Sequence, residues 1–586
     1  RASLSVPKAA YRDLAGYRAW LDRRARDLAL ALAADPSLPD RQAAREVFEE
    51  RLQQQIRRAF QVERLERGLS GMVGKVPDDH PRHADIRVAG EVDVLAVIDA
   101  LRTLSSRRDL RGMLSVHLIP AFSRTYPDRE LTHGFVGHTA TQWRSDEDGR
   151  RELLTYGVAG LEAAAVLTEG SGAERAFLRD GRGNSYFVGR EVRASATPVL
   201  HSTLDIELQR AAIKELKEMA EAGARTGKVT IPKWGALVLV EIASGDVVAA
   251  ASWHRGIVNS ENASFAPYQS LFEPGSIVKP LVLAYAYEAG VLDWDHVYDC
   301  RPGGRDYREQ IGGLGRRKPV RDDHDCEDLT AHGILVNSSN VGASLIGLGL
   351  DRDRWQDYMR YFGFGASLDL PLPNGRSGGW PRQSFDRSVR ERSFQANSAI
   401  SFSFGYEFQV TAMHMARAYL RLLRGNGAEL RVCRGIEFDG RWLPAPTSPI
   451  GASFSPRVLQ AVCAAMADVM GPDPKATGSA VRRRIQSELG IDLYGLVAGK
   501  TGTAASVVGI PGRGKVNVRN ASFVGVIPAE LPRWLAVCVL QKDDSARFYG
   551  GSYAAPAAVR LLLQAQKLAT RRSCSQEVRP SGGQTR

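Results

Sequence analysis

The feature that most constrains the fold is a pair of apolar, strand-like runs at each end of one long segment of the chain. Residues 234–242 and 247–251 are rich in Val, Leu, Ile and Ala and are separated by the turn sequence Ala-Ser-Gly-Asp, a pattern that predicts a β-hairpin. Residues 521–527 and 534–540 repeat the pattern close to the end of the chain. Because strands pair through a common ladder of hydrogen bonds, we expect one sheet assembled from both ends of the same domain.

The other segments place this sheet in an α+β architecture. Between the two strand pairs the sequence has helical texture, which predicts a sheet covered by helices over residues 201–570. Residues 1–70 have the spacing of two helices with charged faces, and residues 71–200 have short apolar runs broken by Gly, Pro and Asp. We therefore expect a separate N-terminal domain over residues 1–200. The polar, Arg-bearing tail at 571–586 is expected to be disordered.

Composition limits the class of protein. The 586 residues, with 44% hydrophobic and 25% charged side chains, are typical of a folded protein of about two to four domains. Lys and Arg exceed Asp and Glu by 12, which could favour nucleic acid, anionic lipid or an acidic polymer. The basic residues are not interleaved with aromatic ones and no nucleic-acid motif is present, so we expect no nucleic-acid partner. No window approaches about 18 uninterrupted apolar residues, so no membrane-spanning helix is predicted.

The first candidate site lies in the sequence Pro-Gly-Ser-Ile-Val-Lys-Pro at residues 274–280. An apolar helix is expected to begin at Ser276, which places Ser276 and Lys279 on one helical face. A serine hydroxyl becomes a good nucleophile when a base takes its proton, and a buried, neutral lysine can be that base. The spacing alone gives weak support, because Ser5 and Lys8 share it.

A second candidate is Ser338-Ser339-Asn340, which follows an apolar stretch at an expected connection between two helices. Serine and asparagine are common in caps and turns, because their side chains bond to nearby backbone groups. Taken alone, this tripeptide therefore indicates a cap more often than a catalytic element.

A third candidate, at residues 498–504, is expected to be part of a strand. Gly499 and Gly502 carry no side chain, which suits a strand that a ligand backbone approaches closely, although a β-bulge would also favour glycine. Lys500 and the two threonine hydroxyls beside it form a small cationic strip that suits a carboxylate.

Together and in this order, the three motifs resemble those of the serine penicillin-recognising enzymes, which carry related S-x-x-K, S-D-N and K-T-G motifs. The first two motifs are 62 residues apart and the last two 162 residues apart. The stretches at 124–127 and 157–162 look like the pedestal signatures of class B penicillin-binding proteins. The resemblance covers about residues 110–570. It implies an N-terminal pedestal, or dimerisation-like, domain followed by a penicillin-binding transpeptidase domain, an antiparallel sheet covered by helices.

The resemblance implies a peptidoglycan D,D-transpeptidase that cross-links stem peptides. Ser276, with Lys279 as base, would attack the D-Ala-D-Ala donor, release the terminal D-Ala and pass the acyl group to an acceptor amine. β-Lactams would acylate the same serine. The backbone N–H groups of Ser276 and Thr503 would form the oxyanion hole, and neither a metal nor a cofactor is expected. By motif matching, the catalytic residues would be Ser276, Lys279, Ser338, Asn340 and Lys500, and the substrate-binding residues Thr501, Gly502 and Thr503.

The same resemblance implies a location and partners. The chain would act at the extracytoplasmic, periplasmic face of the cytoplasmic membrane, anchored by an N-terminal segment outside this sequence. Its partners would be a glycosyltransferase and a membrane-embedded cell-wall complex. No glycosyltransferase-like segment with paired acidic residues is found, which disfavours a bifunctional class A protein. The R-G-x-I-x-D-R-x-G stretch usual in class B members is not found either, which leaves the partner contacts of the N-terminal domain open.

Two other functions stay open. A D,D-carboxypeptidase would form the same acyl-enzyme and let water resolve it, whereas a non-catalytic β-lactam sensor or cell-wall scaffold would bind without turnover. A β-lactamase is disfavoured, because no E-x-x-L-N loop supplies a base for deacylation.

A cluster of possible ligand residues lies between the first two motifs. It consists of Cys300 and the run Asp-Asp-His-Asp-Cys at residues 322–326, with irregular spacing. A disulfide between Cys300 and Cys326 would suit an oxidising compartment. A zinc site that uses both cysteines with Asp323 and His324 is chemically allowed, and so is a solvated acidic loop.

Overall fold

The structure is a computed structural model, in which the chain divides into two units, residues 1–125 with 142–154 and residues 126–141 with 155–586. The sequence placed the domain boundary near residue 200. Phe135 and Leu161 nevertheless pack into the main core of the second unit, so this unit takes in parts of the predicted N-terminal domain.

The structure describes residues 2–32, 41–71, 74–86, 114–116, 126, 128–145, 151–164, 175–179, 185–191, 199–225, 231–256, 264–314, 320–379, 396–438, 440–446, 451–510, 514–543 and 548–577.

The first unit combines helices with a small antiparallel sheet of order β2-β1-β3. Its apolar core is drawn from both kinds of element, and Tyr17 and Phe60 are fully buried in it. The two helices predicted near the start of the chain are present, and a short third helix follows them. The elements are β1 (Ala2–Ser5), α1 (Leu14–Leu32), α2 (Arg41–Ala59), α3 (Val62–Gly68), β2 (His83–Ile86) and β3 (Leu114–Val116).

The rest of the described chain contains both strands and helices. The strands are β4 (Thr139–Ser145), β5 (Arg151–Gly157), β6 (Arg175–Arg179), β7 (Ser185–Glu191), β8 (Val199–Ser202), β9 (Trp234–Glu241), β10 (Asp246–His254), β11 (Tyr298–Asp299), β12 (Asp328–Leu329), β13 (Cys433–Phe438), β14 (Arg441–Pro444), β15 (Ala498–Ile510), β16 (Gly514–Ile527) and β17 (Trp534–Lys542). The helices are α4 (Arg129–Val136), α5 (Ile206–Arg225), α6 (Ala266–Gln269), α7 (Lys279–Glu288), α8 (Arg305–Gln310), α9 (Ala331–Asn337), α10 (Asn340–Leu348), α11 (Arg352–Phe362), α12 (Ala396–Ser403), α13 (Ala412–Arg424), α14 (Pro456–Asp468), α15 (Ser479–Leu489), α16 (Gly550–Tyr553) and α17 (Ala555–Glu577). In the ranges that the structure describes, no helix has both the length and the apolar character needed to cross a membrane.

A five-stranded antiparallel sheet forms the centre of the second unit. Its strand order is β10-β9-β17-β16-β15, so the predicted sheet assembled from both ends of one domain is confirmed. Every residue of β17 is buried, because alternate side chains enter two different cores. Val537 and Val539 pack into the core on one face, and Ala536 and Cys538 into the core on the other.

Helices cover both faces of this sheet, as the predicted fold class requires. Leu281 of α7 and Leu420 of α13 belong to the core on one face, and Leu216 of α5 and Leu562 of α17 to the core on the other. Each is at most 1% exposed, and burying a leucine contributes roughly 1.5–3 kcal/mol. The packing holds α7, which begins at Lys279 of the first motif, against the sheet that includes β15.

The last helix continues past the predicted start of the disordered tail. α17 ends at Glu577, so the prediction of disorder from residue 571 is wrong for the first seven residues of that tail. Arg572, within this extension, pairs with Asp205 at 2.5 Å, which ties the last turns of the helix to the start of α5. Residues 578–586 lie outside the described residues.

Candidate active site

The serine of the first motif lies on a tight turn that precedes a helix. Gly275–Val278 form a 3-10 turn, and α7 begins at Lys279 with Pro280 in its first turn, so the predicted helix start at Ser276 is three residues early. Gly275 enters the turn at φ +62°, a left-handed conformation that glycine adopts readily. Residues three apart are eclipsed in a 3-10 turn, so Ser276 and Lys279 still share one face.

This turn is packed tightly against the strand of the third motif. A Cβ at Gly275 would lie 3.2 Å from the carbonyl oxygen of Thr503. A Cβ at Gly502 would lie 2.4 Å from Ser522 Oγ and 2.9 Å from Ile277 Cγ2. The sequence attributed Gly502 to the approach of a ligand backbone, whereas in the structure it makes room for side chains of the chain itself. The consequence is that the 3-10 turn at Gly275–Val278, called here the nucleophile turn after the predicted role of Ser276, lies directly against β15.

Two buried lysines meet at one serine hydroxyl. Lys279 Nζ donates to Ser338 O at 2.5 Å, to Asn340 Oδ1 at 2.9 Å and to Ser338 Oγ at 3.3 Å. Lys500 Nζ donates to the same Ser338 Oγ at 2.8 Å and to Thr501 O at 3.0 Å. Neither lysine has any exposed surface. Side chains from all three motifs are therefore linked by hydrogen bonds in one place.

Burial governs the charge of these two lysines. Desolvation lowers the pKa of Lys279 to about 8, although the nearby carboxylates of Asp322 and Asp323 act in the opposite direction. Desolvation, and then the neighbouring Lys279, hold the pKa of Lys500 well below its ordinary value. Because two adjacent ammonium groups disfavour each other, the site favours one neutral amine, the form that can accept a proton.

Ser338 is held by a turn between two helices, as the sequence predicted. α9 ends directly before Ser338, which adopts φ 57°, a left-handed conformation that is uncommon for residues other than glycine. α10 begins at Asn340, and Ser339 Oγ caps it by accepting the N–H of Gly342 at 3.0 Å. Ser339 is therefore the cap expected of such a tripeptide, while Ser338 and Asn340 face Lys279.

The third motif lies on β15, which is an edge strand of the five-stranded sheet. Successive side chains alternate across a strand, so Lys500 points toward Ser338 and the hydroxyls of Thr501 and Thr503 lie on the other side. Thr503 Oγ1 accepts the N–H of Gly550 at 3.3 Å. The amine of Lys500 and the two hydroxyls therefore lie on opposite faces of β15.

Cys300 and Cys326 are free, buried thiols in the structure. Burial is the main cause that raises the pKa of each to about 12. Among the described residues, no group of three His, Cys, Asp or Glu side chains is placed to hold a metal ion. The disulfide is thus not formed here, and the described residues offer no zinc site.

Comparison with known proteins decides the family. Residues 235–563 match the family model described as the penicillin binding protein transpeptidase domain, which is more than half of the chain. The chain belongs to the penicillin-binding protein transpeptidase family. Membership confirms both the predicted resemblance and the α+β fold of the transpeptidase domain.

Proteins that are named as transpeptidases are similar in sequence to this penicillin-binding protein. The chain is 28% identical to the peptidoglycan D,D-transpeptidase FtsI of Escherichia coli K12, over 75% of this chain and 66% of that protein. It is 27% identical to the probable peptidoglycan D,D-transpeptidase PbpC of Pseudomonas aeruginosa, over 76% of this chain and 70% of that protein. The chain thus spans about two thirds of the length of these relatives.

A solved structure agrees with the fold of this penicillin-binding protein. Penicillin binding protein 3 from Mycobacterium tuberculosis, complexed with aztreonam, has a TM-score of 0.57 at 22% sequence identity. The match covers 76% of this chain and 90% of that chain. At 22% identity this similarity is evidence for a shared fold alone.

One residue beside the site of this penicillin-binding protein was missed by the sequence analysis. Asp322 accepts a hydrogen bond from Ser339 Oγ at 2.7 Å, although the sequence treated its segment as a possible ligand cluster or solvated loop. The acidic run at 322–325 was visible in the sequence. Which of its carboxylates turns inward depends on a contact across 17 residues, which no local pattern reveals.

Proposed function

We propose that this penicillin-binding protein is a peptidoglycan D,D-transpeptidase that joins stem peptides through an acyl-enzyme on Ser276. The main support is the position of Ser338 Oγ between the amines of Lys279 and Lys500, where Lys279 lies three residues after Ser276 at the end of the same 3-10 turn. A neutral amine close to a serine is the arrangement that activates an alcohol for attack. The names of the relatives from Escherichia coli and Pseudomonas aeruginosa support the same activity.

In the first half of the reaction, Ser276 Oγ attacks the carbonyl carbon of the penultimate D-Ala in the donor peptide. The hydroxyl proton passes to the neutral Nζ of Lys279. The backbone N–H groups of Ser276 and Thr503 stabilise the oxyanion. The C–N bond then breaks, the terminal D-Ala leaves with a proton delivered through Ser338, and an ester remains on Ser276.

In the second half, the amine of an acceptor stem peptide attacks this ester. Lys279 takes a proton from the attacking nitrogen, the ester C–O bond breaks, and Ser276 regains its proton. The product is a new amide that links two stem peptides. If water attacks instead, the same intermediate gives the D,D-carboxypeptidase reaction, so the acceptor decides between the two activities.

The other motif residues bind the donor. Asn340 holds the peptide beside Lys279. The hydroxyls of Thr501 and Thr503, together with Lys500, bind the terminal carboxylate. Gly502 lets the nucleophile turn reach the strand. β-Lactams enter the same site and acylate Ser276.

We further propose the setting of this reaction. The substrate is peptidoglycan outside the cytoplasmic membrane, on its periplasmic face, and the protein is anchored to that membrane. A separate glycosyltransferase supplies glycan strands within a membrane-embedded cell-wall complex. If the natural protein sediments with membranes but a high-salt wash releases it, an anchored location is contradicted.

The first test is covalent labelling. Incubation with benzylpenicillin is expected to add one penicilloyl group to the wild-type chain by intact-mass spectrometry, and none to Ser276→Ala. An unlabelled wild type, or a labelled Ser276→Ala variant, contradicts the acyl-enzyme on Ser276.

A second measurement separates the remaining functions. A donor peptide that ends in D-Ala-D-Ala is supplied with and without an acceptor amine, and the products are resolved by mass. A cross-linked product supports the transpeptidase, a shortened peptide alone identifies a carboxypeptidase, and labelling by penicillin without turnover identifies a sensor.

A further inference from the structure

The acidic loop before the second motif makes a concentrated set of contacts with it. Asp322 Oδ2 accepts the hydroxyl proton of Ser339 at 2.7 Å. Asp322 Oδ1 accepts the backbone N–H of Asn340 and, at 3.2 Å, that of Val341. One carboxylate thus holds three donors on consecutive residues, all of them remote from it in the sequence.

These donors lie at the first turn of α10, a nine-residue helix. The first backbone N–H groups of a helix have no partner within it, and a carboxylate at that end is stabilised by the helix dipole. Asp322 therefore fixes the position at which α10 begins, and Asn340 is the residue at that position.

The residue before Asp322 fixes the side chain of Asn340 as well. Asn340 Nδ2 donates to Arg321 O at 2.9 Å, which leaves Oδ1 to accept from Lys279 Nζ at 2.9 Å. A rotated amide would direct its N–H groups at the lysine instead of its oxygen. The segment 321–322 thus determines both where Asn340 lies and which of its atoms faces the proposed base.

We propose that Asp322 is a positioning residue for acyl transfer, which anchors the start of α10 and so holds Asn340 and Ser338 against Lys279, a role that rests on the proposed function. Asp322 touches no reacting atom and acts through the turn that it holds. Displacements of about 1 Å within a catalytic group can cost roughly a hundredfold in rate, so loss of this anchor affects the chemical step.

Asp323 offers a matched control on the adjacent residue. It is exposed and, like Asp322, its carboxylate acts on Lys279 through space. In the described structure the three hydrogen bonds to the turn belong to Asp322. The titratable or charged groups that face Lys279 are Asp322, Asp323, Cys300, Cys326 and Lys500. Comparing the two aspartates thus separates positioning from charge.

The test compares Asp322→Asn with Asp323→Asn in the full chain. The rate constant for acylation by benzylpenicillin is measured over a range of pH, and labelling is followed to completion to count competent sites. Removing either negative charge is expected to lower the pKa of Lys279, so that the acylation rate begins to rise at a lower pH. Only Asp322→Asn is expected to lower the plateau, by roughly tenfold to a hundredfold, with complete final labelling.

Every result of this comparison either supports or overturns the positioning role of Asp322. An Asp322→Asn plateau within twofold of wild type, or an equal loss in Asp323→Asn, overturns the positioning role. If Asp322→Asn fails to fold by circular dichroism, Ser339→Ala decides, because it removes one of the three bonds: a lower plateau supports the role and a wild-type plateau overturns it. Failure of the wild type to acylate on Ser276 would instead refute the proposed function itself.

Discussion

At the scale of single residues, the proposed chemistry depends on two amines that share one hydroxyl. Lys279 and Lys500 both donate to Ser338 Oγ and are fully buried. Neither can hold its ordinary pKa, because each ammonium loses its hydration and faces the other. The charge of one lysine therefore depends on the presence of the other.

This coupling predicts how acylation depends on pH. In the wild type the acylation rate should rise with pH through about 8, as Lys279 loses its proton. Burial lowers the pKa of Lys279, whereas the charge of Lys279 lowers the pKa of Lys500, so Lys500→Met should leave the midpoint of this rise in place. The rate of penicillin acylation against pH measures it, with the exposed Lys475→Met as control. A midpoint that moves clearly to higher pH would show that Lys500 is still charged when Lys279 titrates, and would refute this account.

A second prediction concerns the glycine between turn and strand. Gly502→Ala places a methyl group within 2.4 Å of Ser522 Oγ, which should separate the nucleophile turn from β15 and lower the acylation rate by about a hundredfold. Gly379→Ala is the matched control, because a Cβ there meets nothing within 4 Å. Equal acylation rates for the two variants would count against this account.

The sequence predicted the residues of the site better than their arrangement. Ser276, Lys279, Ser338 and Lys500 followed from the order of three motifs. Neither the 3-10 turn before Lys279 nor the shared hydroxyl of Ser338 could be predicted, because both depend on contacts between segments as much as 162 residues apart. The roles assigned to these residues remain proposals.

At the scale of the elements, a polar ladder of hydrogen-bonded side chains runs across the neighbouring strands β9, β17 and β16 of the central sheet. Trp234 Nε1 of β9 donates to Gln541 Oε1 of β17 at 2.9 Å, and Gln541 Nε2 donates to Asn520 Oδ1 of β16 at 2.9 Å. All three side chains are buried. A buried polar group that loses its partner costs about 1–3 kcal/mol, so this ladder fixes how the three strands align.

Breaking the ladder should therefore weaken the fold. Gln541→Met leaves the Trp234 donor and the Asn520 acceptor unpaired, which should lower the free energy of unfolding by about 2–4 kcal/mol. Urea denaturation followed by tryptophan fluorescence measures this. Gln310→Met, at an exposed position, should change it by less than about 0.5 kcal/mol; a similarly small change at Gln541 would rule the ladder out as a source of stability.

The strands were predictable because their sequence pattern is strong, whereas the ends of the elements were not. The central runs are continuously apolar because both faces of the sheet are covered. The extension of α17 to Glu577 was missed, since its polar sequence resembles a tail and its pairing of Arg572 with Asp205 joins residues 367 apart. Long-range pairs of this kind leave no local trace in a sequence.

At the scale of the whole molecule, β17 lies between β9 and β16 although it is made last of the five strands. A ribosome that has released only the segment up to β16 has produced every motif, yet the strand that joins their two halves is still missing. We therefore expect the five-stranded sheet to close only once β17 has been synthesised. A chain cut short before Trp534 is expected to leave β9 and β16 without the strand that pairs with both.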